Sequence, residues 1–297
     1  MAADAHPLER VNALEHAEFV ALLGNIYEHG EAAAEAAFAA QPFATVEALY
    51  AALRRSVREG AEMERLALVR GHPDLAGRAA RAGALTPESA GEQQAAGLDR
   101  LSEADYAEFH RLNDAYRRKF GFPFIICVRR HTKESILAQF ARRLEHAPAA
   151  ELGAALDEID RIAALRLSAL VTGAGALRVT GRLTTHVLDT ESGRPAAGIA
   201  VTLRELSRGG EARIVATAVT DADGRTPAPL IAGRPVPIGR YELSFAVGEY
   251  FARRPVTLPD PPFLDVVPVR FGVAEAEGHY HVPLILSPWS YSTYRGS

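Results

Sequence analysis

The closing stretch of the chain, His279 to Ser297, reads HYHVPLILSPWSYSTYRGS. His279 and His281 are two apart, and on a strand that spacing turns both imidazoles to one face. Paired imidazoles suit acid–base work near neutral pH, or ligation of a zinc ion. His186 would raise the donor count to three, enough for a catalytic zinc. No cysteine or regularly spaced carboxylate accompanies them, so the expectation is acid–base chemistry and no metal. Chain ends are usually frayed and bland; this one carries Trp289, Tyr291, Tyr294 and Arg295 within a few residues. Upstream, alternation in Arg182-Leu-Thr-Thr-His186-Val-Leu-Asp puts Arg182, Thr184 and His186 on a polar face, with Leu183, Thr185 and Val187 opposite. Arg225 follows an Asp-Gly turn in Thr220-Asp-Ala-Asp-Gly-Arg225. For a strand histidine or a turn arginine, simple solvation is the plainer alternative.

A second set of reactive side chains lies in the first half. On a helix turning ~100° per residue, Leu152, Leu156, Ile159, Ala163 and Leu170 form one apolar stripe. Arg166 falls inside that stripe, whereas Asp157, Glu158 and Arg161 fall outside it. A guanidinium on a core face is costly unless an anion meets it. Arg166 is therefore either half of an internal salt bridge or the receptor for a substrate carboxylate. His72 sits between Gly71 and Pro73 in a loop that the proline keeps extended, where a surface histidine is the plainer reading. Ser89-Ala90-Gly91-Glu92-Gln93 has the spacing of a capping box, with Ser89 as N-cap and Glu92 at N3. Phe120-Gly-Phe-Pro-Phe124-Ile125-Ile126 would ordinarily be core. Its Gly and Pro, however, leave backbone N–H groups outside helix pairing, available to a planar polar ligand.

The elements that must position these residues change character once. Up to about residue 170 the apolar period is helical: Phe19, Leu22, Leu23, Ile26 and Tyr27, then Val46, Leu49, Tyr50 and Leu53 after a Thr45 cap. Ser102 to Asp105 opens another helix carrying Tyr106, Phe109, Asn113, Tyr116 and Phe120, and Ile136, Leu137, Phe140 and Leu144 follow Thr132. A last helix spans about 149–170. From Leu177 the pattern alternates, with candidate strands at 177–188, 199–206, 214–220, 241–247, 266–271 and 279–286, punctuated by turn residues. Such spacing predicts an antiparallel sandwich. The expected organisation is an all-helical domain (1–171), a small-residue linker (172–176) and an all-β domain (177–297).

Composition narrows the class. With 297 residues, two cores are the default. A net charge of −4 gives no basic footprint for nucleic acid. The first residues hold no apolar stretch of signal-peptide length, and no apolar run reaches membrane length. A single cysteine, Cys127, rules out an internal disulfide and fits a reducing compartment. The expectation is a cytoplasmic protein with neither membrane nor nucleic-acid partner.

Residues 10–170 resemble OHCU decarboxylase, which acts on 2-oxo-4-hydroxy-4-carboxy-5-ureidoimidazoline (OHCU) in urate degradation. His72 in GHPDLAG, the Ser89–Gln93 stretch, FGFPFI at 120–125 and Arg166 in IAALRL carry the likeness. The resemblance implies an all-helical domain, usually a homodimer, with no cofactor. By motif, His72, Glu92 and Arg166 are its expected catalytic residues. Pro73, Ser89, Ala90, Gly91, Gln93 and the backbone of Phe124, Ile125, Ile126, Cys127 and Val128 are its expected substrate lining. Loss of CO2 beside a ring C=N bond needs no metal or pyridoxal sink. Arg166 would clamp the carboxylate bidentately, His72 would deliver a proton to one face, and Glu92 would orient His72.

The second half resembles 5-hydroxyisourate hydrolase, a transthyretin-like enzyme, over about Leu177 to Ser297. LTTHVLDT at 183–190, GRPAAG at 193–198, TDADGR at 220–225 and the YRGS ending carry it. It implies a two-sheet prealbumin-like sandwich assembled as a tetramer, with sites at subunit interfaces. By motif, His186, Arg225, His281 and Tyr294 are expected to be catalytic, with His279 and Ser297 binding substrate. The histidines would place and deprotonate water, and Arg225 would stabilise the oxyanion; spacing does not say which histidine is the base. Transthyretin uses this fold to carry a hormone, but a carrier would not be expected to keep His186, Arg225, His281 and YRGS together. Together the two resemblances imply consecutive enzymes in one homo-oligomeric chain, converting 5-hydroxyisourate through OHCU to (S)-allantoin and CO2. Assembly would be a tetramer through the second domain, with dimer contacts in the first.

Overall fold

A computed structural model describes residues 5–77, 85–207, 209 and 212–296. The chain divides into two compact units, Met1–Arg129 with Ile136–Val179 and Arg130–Ser135 with Thr180–Ser297. The first half of the chain is built from α1 (Leu8–Val11), α2 (His16–Leu23), α3 (Glu31–Phe38), α4 (Val46–Glu59), α5 (Glu62–Gly71), α6 (Pro87–Ala95), α7 (Glu103–Phe120), α8 (Lys133–Arg143) and α9 (Pro148–Leu170). It is not wholly helical: β1 (His6–Pro7) pairs in parallel with β2 (Val171–Thr172). Val46 and Glu47 N–H donate to the carbonyls of Ala174 and Gly175 at 2.9 and 3.2 Å. The small-residue stretch after β2 thus supplies acceptors to the unpaired first turn of α4.

Local signals place most helix starts. The Thr45 hydroxyl accepts from Ala48 N–H at 3.0 Å, Ser102 from Asp105 at 3.1 Å and Thr132 from Ser135 at 3.3 Å. Such a cap contributes about 1 kcal/mol. Ser89 is not a cap. Thr86 is the N-cap of α6, accepting from Ser89 N–H at 3.3 Å, and Pro87 opens the first turn, where its missing N–H costs nothing. Ser89 is thereby moved inside the helix. The apolar period through Ile26 and Tyr27 also runs past its helix: α2 stops at Leu23, and both side chains are buried from the following loop.

The core of the helical unit holds Phe19, Leu49, Phe109, Tyr116, Phe140 and Ile159, all essentially inaccessible. Each such side chain is stabilising by ~1.5–3 kcal/mol on burial. Phe124 stacks on Phe140 at 3.7 Å between ring centroids, and the Arg143 guanidinium lies 4.6 Å over Phe124. Arg143 Nη1 also donates to the Ile125 carbonyl at 2.7 Å, while its charge is met by the fully buried Glu151 at 2.5 Å. These contacts fix the irregular 121–127 segment. Glu158, expected on the exposed side of α9, is buried as well and accepts from Cys127 N–H at 2.9 Å.

In the second half, β6 (Ala200–Leu206), β7 (Ala212–Val219), β9 (Gly239–Ala246) and β10 (Val266–Val273) form one antiparallel sheet in the order β10-β9-β6-β7. A second layer comprises β11-β3-β8 and β13-β12-β4-β5, from β3 (Gly181–Thr184), β4 (Val187–Asp189), β5 (Arg194–Pro195), β8 (Ile231–Arg234), β11 (His279–His281), β12 (Leu284–Ser287) and β13 (Ser290–Thr293). Leu183, Val187 and Leu284 from this layer share one core with Val201, Leu243 and Phe245 from the first.

The pairing is not purely antiparallel, because β11 runs parallel to β3 and β12 parallel to β4. The unit also contains a short helix, α10 (Val247–Ala252), so it is not all strand. Nor does the expected strand 177–188 run unbroken; it parts at Thr185–His186 opposite Val282–Pro283. Backbone bonds from Val282 N to Thr184 O (3.0 Å) and from Leu284 N to His186 O (2.8 Å) carry the layer across this break. Pro283 has no N–H to give a ladder, and His186 sits at the resulting kink.

Candidate active sites

In the helical unit, α9 presents Arg166, α6 presents Ser89 and Glu92, and the turn leaving α5 presents His72. Ser89, Glu92 and Gln93 are spaced i, i+3, i+4 and share a helix face. Arg166 Nε donates to Glu92 Oε1 at 2.8 Å and Nη2 to Oε2 at 3.0 Å, a bidentate pair. Nη1 donates to Glu28 Oε2 and to the Asn25 carbonyl, each at 3.1 Å, and Nη2 reaches Ser89 Oγ at 3.4 Å. Glu28 was not visible as a site residue in the sequence. It is 5% exposed and also accepts from the Thr86 hydroxyl at 2.7 Å and the Ser89 hydroxyl at 3.1 Å. Burial works against its charge, but the Thr86 hydroxyl and the Arg166 guanidinium outweigh burial and hold its carboxyl below the usual range.

His72 is buried, not a surface residue. Its Nδ1 lies 2.9 Å from the Leu68 carbonyl, which makes Nδ1 the protonated nitrogen and leaves the Nε2 lone pair uncommitted to that bond. Burial, with Arg166 and His29 adding to it, lowers its pKa; the Leu68 carbonyl and the Glu28 charge act the other way. The loop after it is held by Gln93, whose Oε1 accepts from Ala76 N–H at 2.9 Å, by Asn113 donating to the Leu75 carbonyl at 2.8 Å, and by an Arg117–Asp74 ion pair at 2.9 Å.

One cavity gathers most of the expected set. His72, Pro73, Ser89, Glu92, Gln93 and Arg166 line it, with Phe124, Ile125, Ile126 and Val128 as its apolar wall beside Leu75 and Ile162. Three expected lining residues stand apart. Ala90 and Gly91 are exposed, because they turn away from the face that carries Glu92. Cys127 has its backbone N–H engaged by Glu158, so it is not open to a ligand. Gly91 instead borders a wider opening that also touches Glu92 and Arg166, among Leu22, Pro87, Ala95 and Arg129.

In the β unit, four motif segments converge. His186 and Arg225 form an isolated antiparallel bridge, and so do His281 and Gly296. Arg225 is set by its turn: Asp221 Oδ1 accepts from Asp223 N–H at 3.0 Å and Arg225 N–H at 3.1 Å. Gly224 takes φ +70°, and a Cβ there would meet the Val187 carbonyl at 2.3 Å, so only glycine lets the turn close onto β4. β11 alternates as expected, with His279 and His281 on the open side and Tyr280 buried. Thr184, on the paired strand, joins the two: its hydroxyl lies 3.0 Å from His279 Nε2 and 2.9 Å from His281 Nδ1. His281 has its pKa lowered by partial burial and by the charges of Arg225, His186 and His279. His186 Nε2 is buried with no hydrogen-bond partner among the described residues. Tyr294 is 56% exposed, and Ser297 lies outside the described residues. Among the described residues no three His, Cys, Asp or Glu side chains group as metal donors, and no helix is long and apolar enough to cross a membrane.

Fold and sites define a chain with two separate imidazole centres, one against a buried carboxylate–guanidinium cluster and one beside an arginine at a sheet kink. Both arrangements place an imidazole where acid–base chemistry can be done. The chain belongs to the OHCU decarboxylase family over residues 12–168 and to the HIUase/Transthyretin family over residues 183–296. It is 57% identical to a 5-hydroxyisourate hydrolase of Ralstonia nicotianae over 117 residues, 39% of this chain and 99% of that protein. It is 41% identical to a 2-oxo-4-hydroxy-4-carboxy-5-ureidoimidazoline decarboxylase of Haloferax volcanii over 161 residues, 54% of this chain and 94% of that protein. A crystal structure of (S)-allantoin synthase matches 98% of this chain and 100% of its own at 36% identity, with a TM-score of 0.53.

Proposed function

We propose that the two sites act in sequence: the β unit hydrolyses 5-hydroxyisourate to OHCU, and the helical unit decarboxylates OHCU to (S)-allantoin and CO2. The chain is a bifunctional enzyme of urate degradation. The observation that carries this reading is that a single chain assembles both motif sets, each within the region matched by its own family.

In the hydrolase, His281 stays neutral under working conditions and is the general base. A proton on Nδ1 shared with Thr184 leaves Nε2 to take the proton of the attacking water. His186 Nε2, buried and unpartnered, receives that water or the substrate's ring nitrogen. Arg225 faces the carbonyl oxygen as it becomes an oxyanion. His279 and the exposed tail, Trp289, Tyr291 and Tyr294, complete a prealbumin-like site at a subunit contact. The exposed Ile214 and Val219 of β7 offer further apolar area for a tetramer, and the helical unit adds dimer contacts.

In the decarboxylase, the resting state of His72 recasts its part. A neutral imidazole is an acceptor first. It takes the proton of the hydroxyl on the carbon that loses CO2. The C–C pair forms a C=C bond to the neighbouring ring carbon, and the former C=N pair goes to nitrogen, which takes a proton from solvent. The oxygen-bearing carbon becomes a carbonyl as that C=C pair is protonated. The imidazolium then returns its proton to the neighbouring ring carbon from one face, which sets the S configuration. Arg166 and Glu92 frame the ring, and Phe124 and Ile126 exclude water from the carbanion.

The test uses 5-hydroxyisourate generated in situ from urate by urate oxidase, followed by absorbance and circular dichroism. His72→Ala should keep fast loss of 5-hydroxyisourate and yield racemic allantoin. His281→Ala should slow the first step on the order of 10²-fold or more and leave decarboxylation of supplied OHCU intact. Racemic product at the uncatalysed rate from the intact chain would end the proposal.

A further inference from the structure

We propose that Glu28 is a positioning residue of the decarboxylase site, holding Arg166 in register with Glu92. The proposal rests on the reading of this cavity as the decarboxylase site. A guanidinium has five N–H donors, and Arg166 has a contact for each: two to Glu92, one to Ser89, one to Asn25 O and one to Glu28. The cation is therefore saturated within the protein. A substrate carboxylate could take a bidentate grip only by displacing contacts that Arg166 already makes within the protein. Arg166 is on this geometry a frame for Glu92, and its clamp role passes to whatever part of the ligand meets Glu92 and His72.

Glu28 is what keeps the frame square. It comes from the loop after α2, whereas Arg166 comes from α9 and Glu92 from α6. Its Oε1 takes the Thr86 hydroxyl at 2.7 Å, and its Oε2 takes Ser89 at 3.1 Å and Arg166 at 3.1 Å. One carboxylate thus ties the first turn of α6 to α9. The groups acting on His72 are Glu28, Arg166, His29 and the Leu68 carbonyl, with Glu92 across the cavity. Glu28 is the acid that offsets Arg166 there. Removing its charge leaves the guanidinium with Glu92 as its one carboxylate partner among these groups.

The test is steady-state decarboxylation of OHCU by full-length variants, with the hydrolase rate of the same molecules and a thermal melt as controls for folding. Glu28→Gln should lower kcat on the order of 10- to 100-fold with a smaller change in KM. It should also move the acid limb of the kcat profile to lower pH, because His72 loses a supporting anion. Glu28→Asp keeps the charge but cannot span Thr86 and Arg166 together, so kcat should fall while the acid limb stays. Thr86→Val, which leaves the charge and removes one anchor, should lower kcat modestly and supports the proposal even if Glu28→Gln fails to fold. Wild-type kcat with an unmoved acid limb in Glu28→Gln, or unchanged kcat in Thr86→Val beside a misfolded Glu28→Gln, would overturn it. Should His72→Ala itself decarboxylate normally, the reading of the cavity fails first, and this proposal with it.

Discussion

At the scale of single residues, Thr184 couples the two histidines of the tail. Its hydroxyl has one proton to give and two lone pairs to accept with, so it can accept from His281 Nδ1–H whichever way it meets His279 Nε2. Acceptance from His281 Nδ1–H fixes the tautomer in which Nε2 is the base. Thr184→Val keeps the shape and removes that control. Initial rates of 5-hydroxyisourate loss should drop roughly fivefold, as for a lost hydrogen bond of about 1 kcal/mol to the base, with decarboxylation unchanged; an unaltered hydrolase rate would count against the coupling. The sign of the pH effect follows from His281. Its lowered pKa keeps it unprotonated below the ordinary value of ~6.5, so the acid limb of the hydrolase should lie beneath that pH, measurable in buffers from pH 5 to 8. Histidines and arginines with motif spacing were readable in the sequence because their chemistry is rare. Thr184 and Glu28 were not, since threonines on strands and glutamates in loops are common and only tertiary contact singles these two out.

At the scale of elements, caps and periods are local and were legible, while partners are not. Thr45, Ser102 and Thr132 cap as their hydroxyls suggest. The Ser89 reading failed because Pro87 sets the start of α6 three residues earlier. Alternation in 279–286 reads the same whether its neighbour runs parallel or antiparallel, so the parallel pairing of β11 and β12 lay outside sequence reasoning. That pairing brings the tail against His186, and Gly296 closes it. Gly296 N–H donates to the His281 carbonyl at 2.9 Å, and a Cβ there would approach His281 Cδ2 to 2.6 Å. Cδ2 belongs to the ring that the site uses, so relief of the clash must move the ring or the tail. Gly296→Ala should lower hydrolase kcat/KM on the order of tenfold or more while the melting temperature shifts by no more than a few degrees, as for a change confined to a chain end. A wild-type kcat/KM would show that the bridge does not position His281.

At the scale of the whole molecule, fusion puts equal numbers of both sites on every chain. It does not by itself hold the intermediate. A tether raises effective concentration for groups that stay attached, whereas OHCU leaves the hydrolase as a free solute and spreads into solution. Stereospecific product then depends on how fast total decarboxylase captures OHCU relative to its spontaneous decay. Two full-length variants purified apart, His72→Ala and His281→Ala, test this when mixed at equal amounts and matched to the intact chain in concentration of each working site. The enantiomeric excess of allantoin, read by circular dichroism, should be the same for mixture and intact chain across a dilution series. Both should decline together as decay outruns capture. An excess that persists for the intact chain at dilutions where the mixture has gone racemic would mean OHCU passes between sites without entering solution, and free diffusion would have to be abandoned as the account of the coupling.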